Sequence, residues 1–212
     1  MPAGLRELKK QQTRQAISDT ATRLFLERGF EAVTIAEIAA AAQVAKMTVT
    51  NYFPRKEDLA LDHHETFTAA LARTVASRAD GESALAALRR EFLAAVERHD
   101  PAIGFTGRDF ARMIADSAGL TARLRELHDQ REDALARTLA AETSAAPGDL
   151  TPRAAAALLT TAHRTLFQHA MDLALEGEGD QEIAAAVTRS ARQVFGLLDA
   201  SLADYAVRGE RS

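Results

Sequence analysis

The sequence contains no cysteine, so disulfide bonds, thiolate zinc sites and thiol catalysis are all excluded. It also has no run of about 18 uninterrupted apolar residues, the length that a helix needs to cross a membrane. The first residues are too polar for a secretory signal. These absences predict a cytoplasmic protein with no membrane partner.

The signatures of common enzymes are missing as well. There is no nucleophile elbow, no glycine-rich phosphate loop and no His-Glu-x-x-His pair. His63 and His64 are adjacent, so one helix face cannot present both to a metal ion. His128 and Glu132 have helical spacing, which predicts an exposed ion pair more readily than a metal site. We therefore predict no catalytic residue, no metal site and no cofactor.

Charge is distributed unevenly along the 212 residues, 47% of which are hydrophobic. Residues 1–56 carry nine basic and five acidic side chains, a net charge of +4, which leaves −8 for the rest of the chain. A basic module on an acidic body is the outline expected of a polyanion-binding protein. A solvated surface with the same asymmetry is the alternative.

Helix formers dominate, and no stretch alternates long enough to predict a strand. We predict an all-α chain of about nine helices. The first four are expected over residues 10–28, from residue 34, over 46–53 and, as one long helix, over 56–78. Four later helix starts are expected at Ser83, Asp100, Thr151 and Asp180.

Two short helices carry the pattern of a helix-turn-helix. Thr34 and Glu37 have capping-box spacing at the start of the first. In the second, Val49 and Phe53 are expected to face inward. This leaves a cation, two hydroxyls and an amide facing outward, on Lys46, Thr48, Thr50 and Asn51. Such a face suits a helix that reads the major groove of DNA. A capped helical hairpin with a solvated face is the alternative.

Residues 11–60 resemble the DNA-binding domain of the tetracycline-repressor (TetR) family of bacterial regulators. The resemblance rests on Arg28-Gly29-Phe30, Thr34-Ile35, Ile38-Ala39 and Tyr52-Phe53-Pro54, in that order and with the spacing of the family. It implies a three-helix DNA-binding head over residues 1–56 and an effector-binding and dimerisation domain over 57–212. The DNA-binding residues implied are Thr34, Lys46, Met47, Thr48, Thr50, Asn51, Tyr52 and Lys56.

Four positions depart from the family pattern. Gln43 replaces the turn glycine, which would cost about 1 kcal/mol in a left-handed backbone. Ala45 replaces a serine cap worth about 1 kcal/mol. Met47 replaces a small residue, and Thr50 replaces a tyrosine that contacts phosphate. These departures predict an unusual operator preference.

A basic arm precedes the head and carries Arg6, Lys9, Lys10 and Arg14. The resemblance implies that it reaches the DNA backbone or minor groove, and a frayed terminus is the alternative.

Large apolar side chains concentrate after the head, where the resemblance implies an effector pocket. An ordinary hydrophobic core is the alternative for the same residues. The pocket candidates are His63, Phe67, Phe92, Phe105, Phe110, Met113, His163 and Phe167.

The last two long helices resemble the helices that pair in the dimers of this family. The interface candidates are Leu158, Ala162, Leu166, Val187, Ala191, Val194 and Leu198. A dimer also suits the head, because one recognition helix reads too few base pairs for a specific site.

Together these features predict a ligand-responsive repressor. It would bind a palindromic operator as a homodimer and be released by a small apolar or amphipathic effector of unknown identity. The alternative is a helix-turn-helix DNA-binding protein that responds to no effector.

Overall fold

Helices make up the regular structure of residues 2–209, which the computed structural model describes apart from the side chains of residues 2, 3, 5 and 6. Within that range there is no strand and nine helices have seven or more residues, which confirms the predicted all-α chain. The helices are α1 (Pro2–Arg28), α2 (Ile35–Ala41), α3 (Lys46–Tyr52), α4 (Glu57–Ala60), α5 (His64–Ala76), α6 (Ala84–Glu97), α7 (Arg108–Asp116), α8 (Ala118–Glu142), α9 (Thr151–Glu176), α10 (Asp180–Gly196) and α11 (Asp199–Leu202).

The chain divides into two compact units. The first combines the residues up to His64 with Arg112–Leu124, and the second combines Glu65–Ala111 with the chain from Arg125 onward. Helices α7 and α8 therefore each contribute to both units. The functional boundary expected after residue 56 stays a prediction, since compactness does not report function.

The first unit is built around α1, α2 and α3. The side chains that fill its core are at most 5% exposed, and they come from all three helices and the segments that follow them: Ile17, Ala21, Phe25, Phe30, Ile38, Val49, Phe53 and Leu59. The predicted inward direction of Val49 and Phe53 is confirmed. Each fully buried aliphatic or aromatic side chain contributes about 1.5–3 kcal/mol to folding.

The long helix expected over residues 56–78 is wrong, because the chain breaks between α4 and α5. Leu61 has φ −109° and ψ 49°, outside the helical region. Asp62 is held against α1, since its carboxylate accepts a hydrogen bond from the Ser18 hydroxyl at 2.5 Å and its carbonyl accepts one from Arg14 at 2.9 Å. These contacts join residues more than 40 positions apart, so no local pattern reveals them.

The second unit is built around α6, α9 and α10. Helix α10 packs against both α9 and α6. The largest contributions to its core are at most 2% exposed and come from each of these helices: Leu85, Leu88 and Phe92, then Leu159 and Leu166, then Val187 and Phe195.

The predicted helix starts hold at three of four places. Ser83 caps α6 by accepting a hydrogen bond from the Ala86 amide, and α9 and α10 begin at Thr151 and Asp180. Asp100 begins only a short 3-10 turn, Pro101–Ile103.

Gly104 ends the 3-10 turn with φ 108°, a conformation that favours glycine. A Cβ at this position would lie 2.7 Å from the Phe167 carbonyl oxygen and 2.8 Å from the Ala170 Cβ. The turn therefore approaches α9 at a distance that only glycine allows, and the next residue, Phe105, is buried beside it.

Candidate functional sites

Thr34 begins α2 with a complete capping box, as predicted. Its backbone amide and its hydroxyl both donate to the Glu37 carboxylate at 2.8 Å, and its hydroxyl accepts from the Glu37 amide at 3.3 Å. Arg28 donates to the same carboxylate at 2.7 Å. The Arg28 hydrogen bond and then those of Thr34 lower the pKa of Glu37 to about 2. The start of α2 is thereby fixed, and both Thr34 donors are engaged by Glu37.

The turn between α2 and α3 has the backbone conformation that a glycine would favour, although no glycine is present. Gln43 has φ 55°, the left-handed conformation expected at this position. Ala45 occupies the N-cap of α3 and provides no side-chain hydrogen bond. Gln43 therefore adopts the left-handed backbone expected of the turn glycine. Helix α3 forms over Lys46–Tyr52 without the side-chain cap that a serine at position 45 would provide.

Helix α3 buries one apolar residue and exposes three of its other six side chains. Val49 is fully buried, whereas Lys46, Met47 and Asn51 are exposed. Met47 is 69% exposed, an unusual position for a large apolar side chain. Three further predicted DNA-binding residues, Thr48, Thr50 and Tyr52, are half-buried on the same helix.

The Thr50 hydroxyl is engaged within α3. It donates to the Met47 carbonyl at 3.1 Å, the usual back-bonding of a threonine in a helix. The hydroxyl oxygen still has acceptor capacity.

Lys56 makes contacts within the first unit that the sequence does not reveal. Its ammonium donates to the Phe30 carbonyl at 2.5 Å and lies 4.3 Å from the centre of the Phe30 ring. An ammonium has three donor hydrogens, so this contact orients the side chain without exhausting it. Lys56 thus ties the start of α4 to the segment that follows α1.

The basic arm is continuous with α1. Lys9 and Lys10 are exposed, and the side chain of Arg6 lies outside the described residues. Arg14 differs from them, because its guanidinium stacks over the Phe53 ring at 4.7 Å and donates to the Asp62 carbonyl. Arg14 therefore packs against the core of the first unit.

A buried ion pair links α4 with the start of α8 inside the first unit. Two guanidinium nitrogens of Arg123 lie 2.8 and 2.9 Å from the Asp58 carboxylate, and the two side chains are only 11% and 6% exposed. Close by in the chain, the Ser117 hydroxyl donates to Glu31 at 2.7 Å. Segment 112–124 is therefore held to the rest of the first unit by charged and polar contacts.

Aromatic and histidine rings meet in the core of the second unit. The Phe67, His128 and Phe167 ring centres are 5.1–6.3 Å apart in edge-to-face arrangements. The His163 ring contacts Phe92 and Phe195 in the same way, at 5.3 and 5.4 Å. We call the seven side chains Phe67, Phe92, His128, Arg131, His163, Phe167 and Phe195 the aromatic–cationic cluster.

Arg131 brings a permanent charge into this cluster. It is 3% exposed, and its guanidinium carbon lies 4.5 Å from the centre of the Phe67 ring. Its Nε has no hydrogen-bond partner, and no ion pair involves it among the residues that the structure describes. Burial lowers the pKa of Arg131 to about 10, which still leaves it charged at neutral pH.

The two histidines of the cluster also lack partners. Neither ring nitrogen of His163, nor the Nδ1 of His128, has a hydrogen-bond partner in the described part of the chain. Burial, followed by the positive charge of Arg131, lowers the pKa of His128 to about 4 and lowers that of His163 well below its ordinary value. Both rings are therefore neutral at physiological pH.

The expected exposed ion pair between His128 and Glu132 is wrong. His128 is 4% exposed and packs between two phenylalanine rings. A signal for this was present in the sequence, because Leu124, His128, Arg131 and Leu135 follow one another at helical spacing. Two polar residues in the register of an apolar stripe predict a buried polar site.

The predicted pocket residues separate into groups. Phe67, Phe92, His163 and Phe167 belong to the aromatic–cationic cluster. Phe105 stacks on His99 at 5.2 Å, Phe110 is half-buried, and Met113 is buried but belongs to the first unit.

The prediction that His63 lines the effector pocket is wrong. It lies in the break between α4 and α5, and its side chain is 79% exposed beside Asp62. A side chain this exposed does not line a buried pocket.

The predicted dimer residues separate by burial as well. Ala162, Leu166, Val187 and Ala191 are at most 4% exposed within one subunit, so they are corrected from interface to core. Leu158 is 47% exposed, and Val194 and Leu198 are half-buried. Leu197, which the sequence pattern missed, is 79% exposed at the end of α10.

Residues 2–209 contain neither a metal-binding cluster nor a membrane-spanning helix. No group of three or more histidine and acidic side chains there is arranged to hold a metal ion. None of the described helices combines the length and the apolar character needed to span a bilayer.

Comparisons with known proteins agree with the head geometry. Residues 17–62 match the family model of bacterial regulatory proteins, tetR family. The HTH-type transcriptional regulator TcmR of Streptomyces glaucescens is 31% identical over 143 residues, which are 65% of this chain. The match spans 63% of TcmR, less than two thirds of its length.

Solved structures share the fold over almost the whole chain. SmeT, in a complex with triclosan, has a TM-score of 0.58 at 20% identity and covers 94% of this chain and 96% of its own. FadR of Thermus thermophilus, a transcriptional repressor in complex with lauroyl-CoA, has a TM-score of 0.50 at 23% identity, covering 94% and 98%.

Proposed function

Because the chain belongs to the TetR family of bacterial regulatory proteins, we propose that it is a ligand-responsive transcriptional repressor. It binds a palindromic operator as a homodimer and is released by a small apolar or amphipathic effector. Regulators of this family bind DNA as dimers and respond to small molecules. Family membership does not give the operator, the effector or the residues that contact them, so these are part of our proposal.

The outward face of α3 carries the proposal. Lys46, Met47 and Asn51 are exposed on a short helix that Val49 anchors to the core of the first unit. A short anchored helix with free donors is the element that enters the major groove in helix-turn-helix proteins.

Each residue of that face has a distinct role in the proposal. The Asn51 amide suits the paired donor and acceptor of adenine, and the Met47 side chain suits the methyl group of thymine. Lys46 and Lys56 neutralise phosphates, together with the capped start of α2 at Thr34. Thr48, Thr50 and Tyr52 add polar and van der Waals contacts along the groove.

The exposed apolar residues of α9 and α10 support a dimer. Leu158 and Leu197 are large, apolar and 47% and 79% exposed, and half-buried Val194 and Leu198 lie near Leu197 in the chain. Exposed apolar side chains mark an interaction surface when they form a contiguous patch, whereas a single one such as Leu150 is common. We place the interface on these four residues.

The experiment selects an operator from random duplex DNA with the full chain and measures its dissociation constant at several salt concentrations. We expect Asn51→Ala to weaken the selected site by roughly tenfold and to relax its sequence at one position. Lys46→Ala should weaken all sites alike and reduce the salt slope by about one. Arg137→Ala, an exposed change on α8 in the second unit, is the matched control.

Other outcomes contradict the proposal. If both α3 variants bind as the wild type does, α3 is not the reading helix. A selected site without two-fold symmetry contradicts the dimer, as does a Leu158→Glu variant with the wild-type sedimentation coefficient. Leu150→Glu, at another exposed leucine that precedes α9, is the control for that change. If operator binding responds to no small molecule, the chain is an effector-independent DNA-binding protein.

A further inference from the structure

We propose that the effector is an organic acid, an apolar body with one anionic group, and that Arg131, His128 and His163 bind this group in the core of the second unit. The inference rests on the proposed function and specifies its effector. Its warrant is a set of buried polar atoms that the described protein groups leave without partners.

Arg131 supplies the main argument. A guanidinium stays protonated in proteins, so burial cannot neutralise it as it neutralises a lysine or a histidine. Burying a charge without a counter-charge costs several kcal/mol. Arg131 is 3% exposed and forms no ion pair among residues 2–209. The charge of Asp100 favours its protonated form from a distance and only partly offsets the effect of burial. The guanidinium can therefore accept a closer anion.

The other buried arginine of the second unit shows what a structural role requires. Arg78 is 2% exposed and donates to Glu142 at 2.7 Å and to the Ala206 carbonyl at 2.9 Å. The guanidinium of Arg78 is thus matched by a carboxylate and by carbonyl oxygens. Arg131 has the same burial and none of these contacts, so packing alone does not account for it.

The histidines extend the site from a point charge to a set of directed groups. His163 is 3% exposed, and neither of its ring nitrogens has a partner. Nearly all buried polar atoms in proteins are hydrogen-bonded. A neutral imidazole offers one donor and one acceptor, so two such rings beside Arg131 can hold the oxygens of a carboxylate or an acidic phenol.

The surroundings fix the rest of the ligand. Four phenylalanine rings pack against the two histidine rings, with centres 5.1–5.4 Å apart, and one of them, Phe67, also lies 4.5 Å from the guanidinium carbon of Arg131. Such walls favour an aromatic or aliphatic body, and they strengthen an ion pair by excluding water. A cation is excluded by the charge of Arg131, and a neutral apolar molecule would leave its guanidinium without a partner.

The test compares acids with amides of the same shape. Binding to the full-length protein at pH 7.5 is measured by calorimetry for benzoate and benzamide, 2-naphthoate and 2-naphthamide, and laurate and lauramide. We expect at least one acid to bind roughly tenfold or more tightly than its amide, the range of a charge-assisted hydrogen bond. Arg131→Met should remove this preference, and Arg137→Met, on the exposed face of α8, should keep it.

Three results would overturn the inference. The amides bind as tightly as the acids, which is expected if water satisfies Arg131. The preference for acids survives Arg131→Met. No acid binds at millimolar concentration. Arg131→Met retains a long unbranched side chain without the charge, and its thermal unfolding curve establishes that the variant is folded.

Operator binding separates this inference from the proposed function. If an acid binds through Arg131 but leaves the dissociation constant of the operator unchanged, the anion site is supported and the proposed release by an effector is contradicted. If operator affinity falls only with amides or other neutral molecules, release by an effector is supported and the proposed acidic effector is contradicted. Binding of the operator by Arg131→Met, without response to acids, is the expected result.

Discussion

Helix α8 carries two largely enclosed arginines about two turns apart, and they differ in what surrounds their charge. Arg123, in the first unit, is matched by the Asp58 carboxylate at 2.8 Å. Arg131, in the second unit, lies over the Phe67 ring and acts on His128 and His163, and the acid that influences it, Asp100, forms no ion pair with it. The same side chain on the same helix is therefore structural at one position and, we infer, a ligand contact at the other.

The difference shows how a regulator can separate stability from response. A buried charge that its own protein neutralises adds to the cohesion of a unit. One that is left without a counter-charge makes the free energy of that unit depend on a ligand. Residues of α8 belong to both units, so the helix would connect the ligand site that we propose covalently with the unit that carries α3.

The largest expected effect comes from breaking the matched pair. Asp58→Asn leaves the Arg123 charge buried without its carboxylate, and we expect the free energy of unfolding to fall by about 3 kcal/mol. Urea denaturation measures this loss. Glu91→Gln is the control, because its partner Arg98 lies at 2.9 Å but both side chains are about half exposed, at 44% and 54%. That pair should be worth less than about 0.5 kcal/mol, and equal losses for the two variants would contradict the comparison.

A smaller effect appears in the pH dependence of stability. The pKa of His128 is about 4 in the folded protein and 6.5 when unperturbed, because burial and the nearby charges of Arg131 and Arg164 disfavour its protonated form. As the pH falls below 6.5, His128 is therefore protonated in the unfolded chain but stays neutral in the folded protein. The free energy of unfolding decreases as a result. Between pH 7.5 and 5.5 His128 should account for a loss of about 1 kcal/mol.

Urea denaturation at the two pH values measures this loss. His128→Gln should reduce it, leaving the contribution of His163, whose pKa is lowered in the same direction. His63→Gln, at the 79% exposed histidine, should leave it unchanged. If wild type and His128→Gln lose the same stability on acidification, His128 is not held neutral in the core.

The smallest effect concerns the turn of the head, where strain is local and no charge is involved. Gln43 has φ 55°, so Gln43→Gly should raise the free energy of unfolding by about 0.5 kcal/mol after the greater freedom of glycine in the unfolded chain is counted. Gln43→Ala should give no such gain. A thermal melting point that falls in the glycine variant would show that the Gln43 side chain contributes more than its backbone costs.

Local signals explain what the sequence could predict. The capping box of Thr34 and Glu37 and the end of α3 before Pro54 depend on residues within a few positions of one another. The left-handed turn at Gln43 was predicted only by the family resemblance. These features define the head, and the family resemblance rests on the same residues.

Long-range packing explains what the sequence could not predict. The break between α4 and α5 depends on contacts of Asp62 with Ser18 and Arg14 on α1. On α9 and α10, small and large apolar residues occur on both the buried and the exposed face. The sequence pattern therefore could not tell core residues from interface residues there. The environment of Arg131 depends on rings from α5 and α9, so its register on α8 was the only local sign of it.

The unfolding free energy of Arg131→Met tests the central claim most directly, since it needs no ligand. Wild type and variant are unfolded in urea, separated from any bound small molecule, refolded and titrated with urea in parallel. If the Arg131 charge is uncompensated by the protein, its removal should raise the free energy of unfolding by about 1–2 kcal/mol. A loss of about 3 kcal/mol, like that expected for Asp58→Asn, would show that the protein itself neutralises Arg131 and would contradict the account.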